Sequence, residues 1–358
     1  MWPDRRLLDL FKIEVPIVQA PMAGVQDADV MIGAAQGGAL ASLPCPMISV
    51  EKAREQVNIF RQRVSVPVNM NFFCHTAVEA DAGREAIWRK RLAPYFKELG
   101  LDPAAQISAA NRAPFGEEMC ALVEELKPEV VSFHFGLPDK ATMKRVKAAG
   151  CVVISSATIV KEAVWLEANG ADAIIAQGAE AGGHRGMFLT ESIASQIGTF
   201  ALVPQIVDAV RVPVIAAGGI ADGRGIAAAF ALGAAGVQIG TAYLHTPESK
   251  VSDGGRKALA NASDDSTVIT NVMTGRPARG VANRLMKDIG PVSPDAPLFP
   301  HAATALGPLK AAAEKLGRTD FTNLWAGQAV AMSRNIGAAD LTRKLAAEAL
   351  DCLKNLAR

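Results

Sequence analysis

The amino-acid sequence predicts an α/β protein built on a (β/α)8 barrel of the TIM type. Three observations favour this fold: eight short apolar segments recur along the chain, helical patterns lie between them, and polar or glycine-rich runs follow several of them. Parallel strands buried on both faces have near-continuous apolar sequences, and eight such strands are enough to close a barrel. The chain has 358 residues, which accommodates a barrel of roughly 250 residues with insertions.

The strands are predicted from runs of four to eight mainly apolar residues. In chain order they are residues 17–20, 39–43, 66–73, 130–135, 152–156, 173–176, 212–217 and 236–240. Helical patterns lie between them at residues 50–63, 140–149 and 159–169. Residues 225–247 contain no Asp, Glu, Lys or Arg. Because glycines interrupt this stretch, we predict a buried helix, turn and strand there rather than a membrane span.

Two regions depart from the alternation of strands and helices. Residues 76–129 contain more helical sequence than one crossover needs. Residues 244–319 follow the eighth strand, and we predict that they form a small, mostly helical cap over the barrel mouth. Residues 320–358 are predicted to be C-terminal helices that pack back on the barrel domain of residues 1–243. The proline-rich stretch at residues 291–300 could instead link a second domain, but the residues beyond it are too few for a core of their own.

The composition excludes several classes of partner. Lys plus Arg (37) nearly equals Asp plus Glu (36), so no strong field attracts nucleic acid or an acidic membrane. The expected partners are small molecules or further copies of the chain, as in a homodimer. The five cysteines form no C-x-x-C pair, which predicts reduced thiols in a cytoplasmic protein. Asp9 interrupts the apolar residues near the N-terminus, and no signal peptide is expected.

The most informative run is Gln-Gly-Ala-Glu-Ala-Gly-Gly-His-Arg-Gly at residues 177–186. It follows the sixth predicted strand, and active sites of such barrels lie at the carboxyl ends of the strands. Gly182 and Gly183 let backbone N–H groups approach an anion, and the imidazole of His184 titrates near neutral pH. The sequence predicts a loop that binds an anion and handles a proton; a plain glycine turn with a surface histidine remains the alternative.

The last two strands end in a second glycine pattern. Gly218 and Gly219 lead into a helix, and Gln238-Ile239-Gly240-Thr241 closes the eighth strand. Barrels of this type commonly bind phosphate at this position, through backbone N–H groups. The pattern predicts a phosphorylated ligand, but it does not separate a sugar phosphate from a nucleotide or flavin mononucleotide.

Three further strand ends carry candidate residues. After the first strand, Ala20 and Pro21 would let backbone amides face a flat ring, and Met22 would add a polarizable contact; alternatively the segment is only a turn. In the third strand, alternation places Asn71 on the same side as Asn69 and Phe73. Asn71 could hydrogen-bond the edge of a heteroaromatic ring there or be a structural amide. His134 ends the fourth strand between two phenylalanines and is either a pocket residue or a core histidine.

Metal chemistry is not indicated by these patterns. His75, His245 and His301 also follow strands or turns, but no two histidines have metal-ligand spacing. Carboxylates are sparse at the strand ends, which argues against a magnesium site. No metal is therefore predicted.

Taken together, these motifs resemble the nitronate monooxygenases, formerly called 2-nitropropane dioxygenases. The elements that carry the resemblance are Gln-Ala-Pro-Met at 19–22, Asn-Met-Asn-Phe-Phe-Cys-His at 69–75, Ser-Phe-His-Phe-Gly at 132–136, residues 177–186, Ala-Gly-Gly-Ile at 217–220 and Gln-Ile-Gly-Thr at 238–241. The match runs nearly end to end and looks like the class I branch. The Gly-Gly-His element is shared with flavin-dependent enoyl and quinone reductases.

The resemblance implies a flavin mononucleotide (FMN) bound non-covalently in the barrel mouth. It implies that Ala20, Pro21, Met22, Asn71 and Gln177 line the flavin ring. The phosphate end would be held by Gly182, Gly183, Gly218, Gly219, Gly240 and Thr241, with Gln238 and Ile239 nearby. His184 matches the family's active-site histidine, and His134 matches a second histidine at the pocket.

The resemblance also implies a reaction. An alkyl nitronate, with propionate 3-nitronate as the toxic physiological candidate, would be oxidised with O2 to a carbonyl compound and nitrite, without NAD(P)H. Arg185 or another cation near the mouth could meet the substrate carboxylate, and the sequence does not show which. Two alternatives stay open at this point: an NAD(P)H-dependent FMN reductase of the enoyl-thioester or quinone type, and an isomerase or lyase that binds only a sugar phosphate.

Overall fold

The computed structural model describes residues 1–104 and 113–356. In this part of the chain eight parallel strands form one sheet, with helices between them, which confirms the predicted (β/α)8 barrel. A second sheet of three short antiparallel strands lies outside the barrel. The strands are β1 (Ile17–Gln19), β2 (Ala41–Pro44), β3 (Val68–Phe73), β4 (Val130–His134), β5 (Val152–Ala157), β6 (Ala173–Gln177), β7 (Gly183–His184), β8 (Val214–Ala217), β9 (Gly236–Ile239), β10 (Thr267–Thr270) and β11 (Ala278–Val281).

The barrel closes between its first two strands. Along the sheet the order is β1-β9-β8-β6-β5-β4-β3-β2, so β1 and β2 are the two ends. Val18 and Leu40 form a parallel bridge between them, and the backbone N–H of Leu40 donates to the carbonyl oxygen of Ile17 at 2.9 Å. The strand edges are therefore paired, which removes the exposed edge of an open sheet.

The helices alternate with the barrel strands and continue after β9. They are α1 (Arg6–Phe11), α2 (Ala28–Gln36), α3 (Val50–Arg63), α4 (Ala82–Glu98), α5 (Glu117–Leu126), α6 (Lys140–Ala148), α7 (Val160–Ala168), α8 (Thr199–Ala209), α9 (Gly223–Ala231), α10 (Thr241–Leu244), α11 (Asp253–Ala260), α12 (Arg284–Ile289), α13 (Ala302–Lys315) and α14 (Ala338–Leu356). A short 3-10 helix spans Val330–Met332. Asp and Ser side chains accept backbone N–H bonds at several helix starts, including Ser49 before α3 and Asp222 before α9, as N-caps do.

The predicted helix at 50–63 has the observed bounds of α3. The uncharged stretch at 225–247 is, as predicted, a helix, a turn and the buried strand β9. No helix among the described residues is both long and apolar enough to cross a membrane. Of the extra helical sequence predicted at 76–129, α4 and α5 are present, and residues 105–112 lie outside the described part of the chain.

Alternation along the strands separates the two faces of the barrel wall. Ile174 and Ala216 pack with the surrounding helices, whereas Ile175 and Ile215 belong to the interior cluster. Leu7 and Phe11 of α1 join this interior cluster, so α1 closes the amino-terminal end of the barrel. The carboxyl ends of the strands remain as the open mouth.

Helix α14 packs on the outside of the barrel, against α2 and α9. Two glycines allow the close approach: a Cβ at Gly37 would lie 2.4 Å from the Cβ of Thr342, and one at Gly223 would lie 2.4 Å from the backbone of Ala349. Contacts this short exclude any side chain at these two positions.

The barrel mouth is covered by a roof. By this we mean α4 together with the elements from β10 to α13. Trp88 and Leu92 of α4 pack in one apolar cluster with Leu306 and Leu309 of α13. The short antiparallel sheet joins this roof to the barrel, because β11 pairs with β7, whose residues are Gly183 and His184. The roof therefore combines the insertion after β3 with the segment after β9.

Candidate active site at the barrel mouth

A cavity of about 380 Å3 lies between the carboxyl ends of the strands and the roof, within the size range of small-molecule sites. Its wall contains nearly all of the residues that sequence analysis singled out. They are Ala20, Pro21, Met22, Asn71, His134, Gln177, Gly182, Gly183, His184, Gly218, Gly219, Gln238, Gly240 and Thr241. Ile239 is the exception, because alternation in β9 turns its side chain into the outer cluster; its backbone oxygen accepts from Ala20 at 2.8 Å.

The glycines at the ends of β8 and β9 leave little room for side chains. Gly218 and Gly219 have φ of 111° and 72°, in the left-handed region that favours glycine. A Cβ at Gly218 would lie 2.8 Å from the backbone nitrogen of Ala181, and one at Gly240 would lie 3.3 Å from the Cβ of Ala20. These positions bring backbone to the cavity wall without side chains in the way.

The loop after β1 is fixed by glutamines. The Oε1 atom of Gln26 accepts from the backbone N–H of Met22 at 2.8 Å and from the Nε2 of Gln19 at 2.9 Å. The Nε2 of Gln26 in turn donates to the backbone oxygen of Ser42 in β2 at 2.6 Å. This network holds Met22 and its neighbours against the cavity. The amide nitrogen of Asn71, in β3, donates to the Oγ of Ser132 at 3.0 Å, which orients that side chain.

The backbone of His184 is held from two sides. Its carbonyl oxygen accepts from the Nε2 of Gln177 at 2.9 Å and from the Nε2 of His134 at 3.0 Å. The Oε1 of Gln177 accepts from the backbone N–H of Gly186 at 2.7 Å. Gln177 and His134 thus fix the loop that carries His184, although both also line the cavity.

The ring of His184 lies in an aromatic environment that the sequence did not predict. Its Nε2 lies 3.0 Å from the Oγ1 of Thr274, a buried residue of the roof. Four ring centroids lie between 5.4 and 6.1 Å from its own, those of Phe73, Phe135, Phe299 and Trp325. Thr274 is 90 residues away in the chain, and no local motif marks it.

Both ring nitrogens of His134 face protein atoms. Nδ1 lies 3.0 Å from the Oγ of Ser156, and Nε2 lies 3.0 Å from the carbonyl oxygen of His184. A carbonyl oxygen only accepts, so Nε2 carries the proton and Nδ1 accepts from the serine hydroxyl. Burial lowers the pKa of His134 to about 4, which keeps the ring neutral at pH 7. The structure gives this ring a positioning contact, and its predicted catalytic role stays a prediction.

Because its folded-state pKa is depressed, His134 makes stability depend on pH. Between pH 6.5 and about 4, the unfolded chain protonates this histidine and the folded chain does not, so stability falls as pH falls through that window. His134→Gln keeps an N–H donor. Between pH 7 and pH 4.5 its free energy of unfolding should fall by about 1–2 kcal/mol less than that of the wild type. Urea denaturation of both proteins at the two pH values measures this difference; parallel losses would contradict it.

Arg185, one of the cations considered for a substrate carboxylate, does not line the cavity. The side chain is fully buried, and its two Nη atoms donate to the backbone oxygens of Gln177 and Gly178 at 2.6 Å. Its Nε donates to the Oε1 of Gln196 at 2.8 Å, and burial lowers its pKa to about 10. Arg185 directly follows β7 and points away from the mouth, and its bonds to Gln177 and Gly178 tie the loop to the end of β6.

Lys310 of α13 is instead the cation at the cavity. Among the described residues of the cavity wall, it is the only one with a permanent charge. Its Nζ lies 3.3 Å from the Oδ1 of Asn323 and 3.9 Å from the Oε1 of Glu314, and its side chain is 41% exposed. An ammonium that is partly exposed, with one amide oxygen at 3.3 Å and one carboxylate oxygen at 3.9 Å, retains the capacity to bind an anion.

Comparison with known proteins places this arrangement in a family. A family model for nitronate monooxygenase matches residues 4–348. The nitronate monooxygenase of Paraburkholderia phytofirmans is 41% identical over 354 residues, covering 98% of this chain and 97% of the relative. That of Pseudomonas aeruginosa is 40% identical over 346 residues, covering 96% of this chain and 98% of the relative.

Solved structures agree. Nitroalkane oxidase from Streptomyces ansochromogenes superposes with a TM-score of 0.89 at 35% identity, over 98% of this chain and 99% of the other. FabK from Thermotoga maritima gives a TM-score of 0.72 at 25% identity, over 100% of this chain and 99% of the other. With the family model, the relatives and the cavity in agreement, the chain belongs to the nitronate monooxygenase family and is an oxidoreductase.

Proposed function

We propose that this protein oxidises alkyl nitronates with O2 to carbonyl compounds and nitrite in the cytoplasm, using non-covalently bound FMN and no NAD(P)H. The observation that carries the proposal is one cavity whose wall combines the glycines after β8 and β9 with the imidazole of His184. A phosphate-bearing cofactor and an organic anion can then be bound within one enclosed space.

The residues of the cavity fit FMN. The Oε1 of Gln238 is buried in the wall and has no hydrogen-bond partner among the described residues, and such an acceptor calls for a donor from a ligand. Gly218 and Gly219 supply backbone where side chains would fill the space. Bound FMN would supply the electron-accepting chemistry, which no side chain of this chain provides.

The protein itself binds and orients the substrate. An imidazole N–H of His184 can donate to the oxygens of a nitronate, and a charge-assisted bond of this kind is stronger than a neutral one. The surrounding aromatic rings keep water from that bond, which strengthens it. For a neutral nitroalkane, the same ring can act as a base at the carbon next to nitrogen.

Lys310 favours a nitronate that also carries a carboxylate, such as propionate 3-nitronate. Lys310 lines the cavity, and so does Asn323, to whose Oδ1 the Nζ of Lys310 donates at 3.3 Å. A substrate with an anion at each end would use His184 at one end and Lys310 at the other. Simple alkyl nitronates lack the second anion and would not use Lys310.

Lys310→Met should raise KM for propionate 3-nitronate about tenfold and change kcat little, because it removes one charge-assisted contact. KM for ethylnitronate should stay the same. Lys315→Met, which removes an exposed cation from the same helix outside the cavity, is the matched control. Equal KM values for propionate 3-nitronate in wild type and Lys310→Met would show that the carboxylate binds elsewhere.

Oxygen consumption with nitronate substrates, with and without NADH, tests the proposed function. We expect consumption that depends on nitronate, yields nitrite and is unchanged by NADH. The reductase alternative draws on the likeness to FabK over the whole chain. Rapid bleaching of the flavin when NADH is added anaerobically, together with no nitronate oxidation, would favour that alternative and overturn the proposal.

A further inference from the structure

We infer that Asn323 is a specificity-determining residue whose Nδ2 is a second donor, beside Lys310, for the carboxylate of a substrate that carries an anion at each end. The inference deepens the proposed function and rests on it for the identity of that substrate. It does not rest on it for the anion site itself, because the binding of an unreactive dianion can be measured without any turnover.

The orientation of the Asn323 amide follows from its neighbour. The Nζ of Lys310 lies 3.3 Å from the Oδ1 of Asn323. An ammonium has only donors, so the oxygen of the amide and not its nitrogen must face it. Nδ2 is bonded to the same carbon atom as Oδ1, so its N–H groups lie next to the ammonium and point to another side. Among the described residues, none accepts a hydrogen bond from Nδ2.

The two donors belong to the same wall of the cavity. Lys310 lines it from α13, and Asn323 lines it from a segment whose other cavity residues are Phe321, Leu324 and Trp325. Asn323 supplies the only amide side chain of this segment, in surroundings that are otherwise apolar or aromatic. A carboxylate beside the ammonium would therefore also meet the amide, and its two oxygens can accept one bond from each group.

The backbone on both sides of Asn323 is held in place. The carbonyl oxygen of Thr322 accepts from the Nδ2 of Asn283 at 3.1 Å. The carbonyl oxygen of Leu324 accepts from the backbone N–H of Val281 at 2.9 Å. Asn323 is therefore presented by a fixed segment, as a group that selects between ligands must be.

Glu314 explains why the ammonium needs a second donor. Its Oε1 lies 3.9 Å from the Nζ of Lys310 and accepts from the Oγ1 of Thr322 at 2.8 Å. Part of the attraction of Lys310 for an anion is thus offset by a carboxylate of the protein. The amide N–H of Asn323 has no net charge to be offset, and its bond to a carboxylate is charge-assisted and directional. Ammonium and amide together then bind the anion better than the ammonium alone.

Kinetics of Asn323 variants test the consequence for specificity. Asn323→Leu should raise KM for propionate 3-nitronate about tenfold, the scale of losing a hydrogen bond to a charged group, and change KM for ethylnitronate less than about twofold. Asn323→Asp keeps an oxygen for Lys310 but places an anion where the N–H was, so it should raise KM for propionate 3-nitronate further. Asn335→Leu changes an exposed asparagine outside the cavity wall and is the matched control.

Binding of succinate gives a readout that does not depend on turnover. Succinate has the length of propionate 3-nitronate, with a carboxylate in place of the nitronate, and its two ends are identical. Isothermal titration calorimetry with FMN added should show a Kd about tenfold higher in Asn323→Leu than in wild type. In a Lys310→Met background, the same substitution should still raise Kd about fivefold. A residue that acted only by positioning Lys310 would add nothing once the lysine is gone.

Three results would overturn the inference: no binding of succinate to the wild type, equal Kd values for Lys310→Met and the double variant, or equal rises in KM for both nitronates in Asn323→Leu. Asn323→Ala supplies the same comparisons if the leucine variant does not fold. Failure of the proposed function has a different signature. In that case the wild type would not oxidise ethylnitronate, whereas the succinate titrations would still report both donors.

Discussion

His184→Asn should lower turnover of neutral nitroalkanes about 10²-fold or more, the usual cost of losing general acid–base assistance, while the protein keeps the proposed flavin. Asparagine is shorter and cannot accept a proton at neutral pH. The backbone of residue 184 should keep its place, because its bonds to Gln177 and His134 involve the carbonyl oxygen and not the side chain.

Steady-state rates with nitroethane and ethylnitronate separate the two roles of this ring. Nitronates are already deprotonated and should suffer a smaller loss, since only the hydrogen bond to the anion is removed. His301→Asn is the matched control, because His301 lies outside the cavity wall and contacts the backbone of Val78. Unchanged nitroethane turnover in His184→Asn would show that another group takes the proton.

Gly182→Ala should cost about 1–3 kcal/mol of folding stability, the range for overpacking, and should lower the content of the proposed flavin. A Cβ at this position would lie 2.6 Å from backbone atoms of both Ala326 and Gly327. Backbone on both sides cannot move aside as a flexible side chain would. The loop would be pushed into the cavity, where Gly182 and Gly183 form part of the wall.

Thermal denaturation and the ratio of flavin absorbance to protein measure the two effects. Gly116→Ala is the control for adding one methyl group at a glycine, because the nearest atom to a Cβ there is 3.7 Å away and its φ of −134° suits any residue. The control should change little. Wild-type melting temperature and flavin content in Gly182→Ala would mean that the loop can shift without affecting the site.

Much of the barrel was predictable because burial leaves a strong local signal. Strands covered on both faces must be apolar, so their positions appear as short runs, and β3, β4 and β6 lie within or close to the predicted segments. The third strand also shows the predicted alternation, with Asn71 on the cavity side. The roof was harder to predict from sequence. Helices α4 and α13 are separated by more than 200 residues, and no local pattern in either helix indicates that the two pack together.

The candidate site likewise contains residues that sequence analysis found and residues that it missed. Strand-end residues such as His184, Gln177 and Gly218 were found from sequence because the fold brings all strand ends to one edge. Ile239 and Arg185 were expected at the site, yet their side chains point away from it, since one position along the chain reverses direction in or next to a strand. Thr274 and Lys310 carried no signal at all.

The sequence alone determined the barrel, its glycine-lined mouth and the histidine that the mouth presents, because each depends on residues close together in the chain. Only the tertiary structure decided which cation lines the cavity, which hydroxyl contacts the His184 ring and that the roof is bonded to the loop that carries His184. The contact between His184 and Thr274, for example, joins residues 90 positions apart, and the small sheet pairs β7 with β11. Such contacts are set by how the helices and the small sheet pack together, which no local pattern of residues encodes.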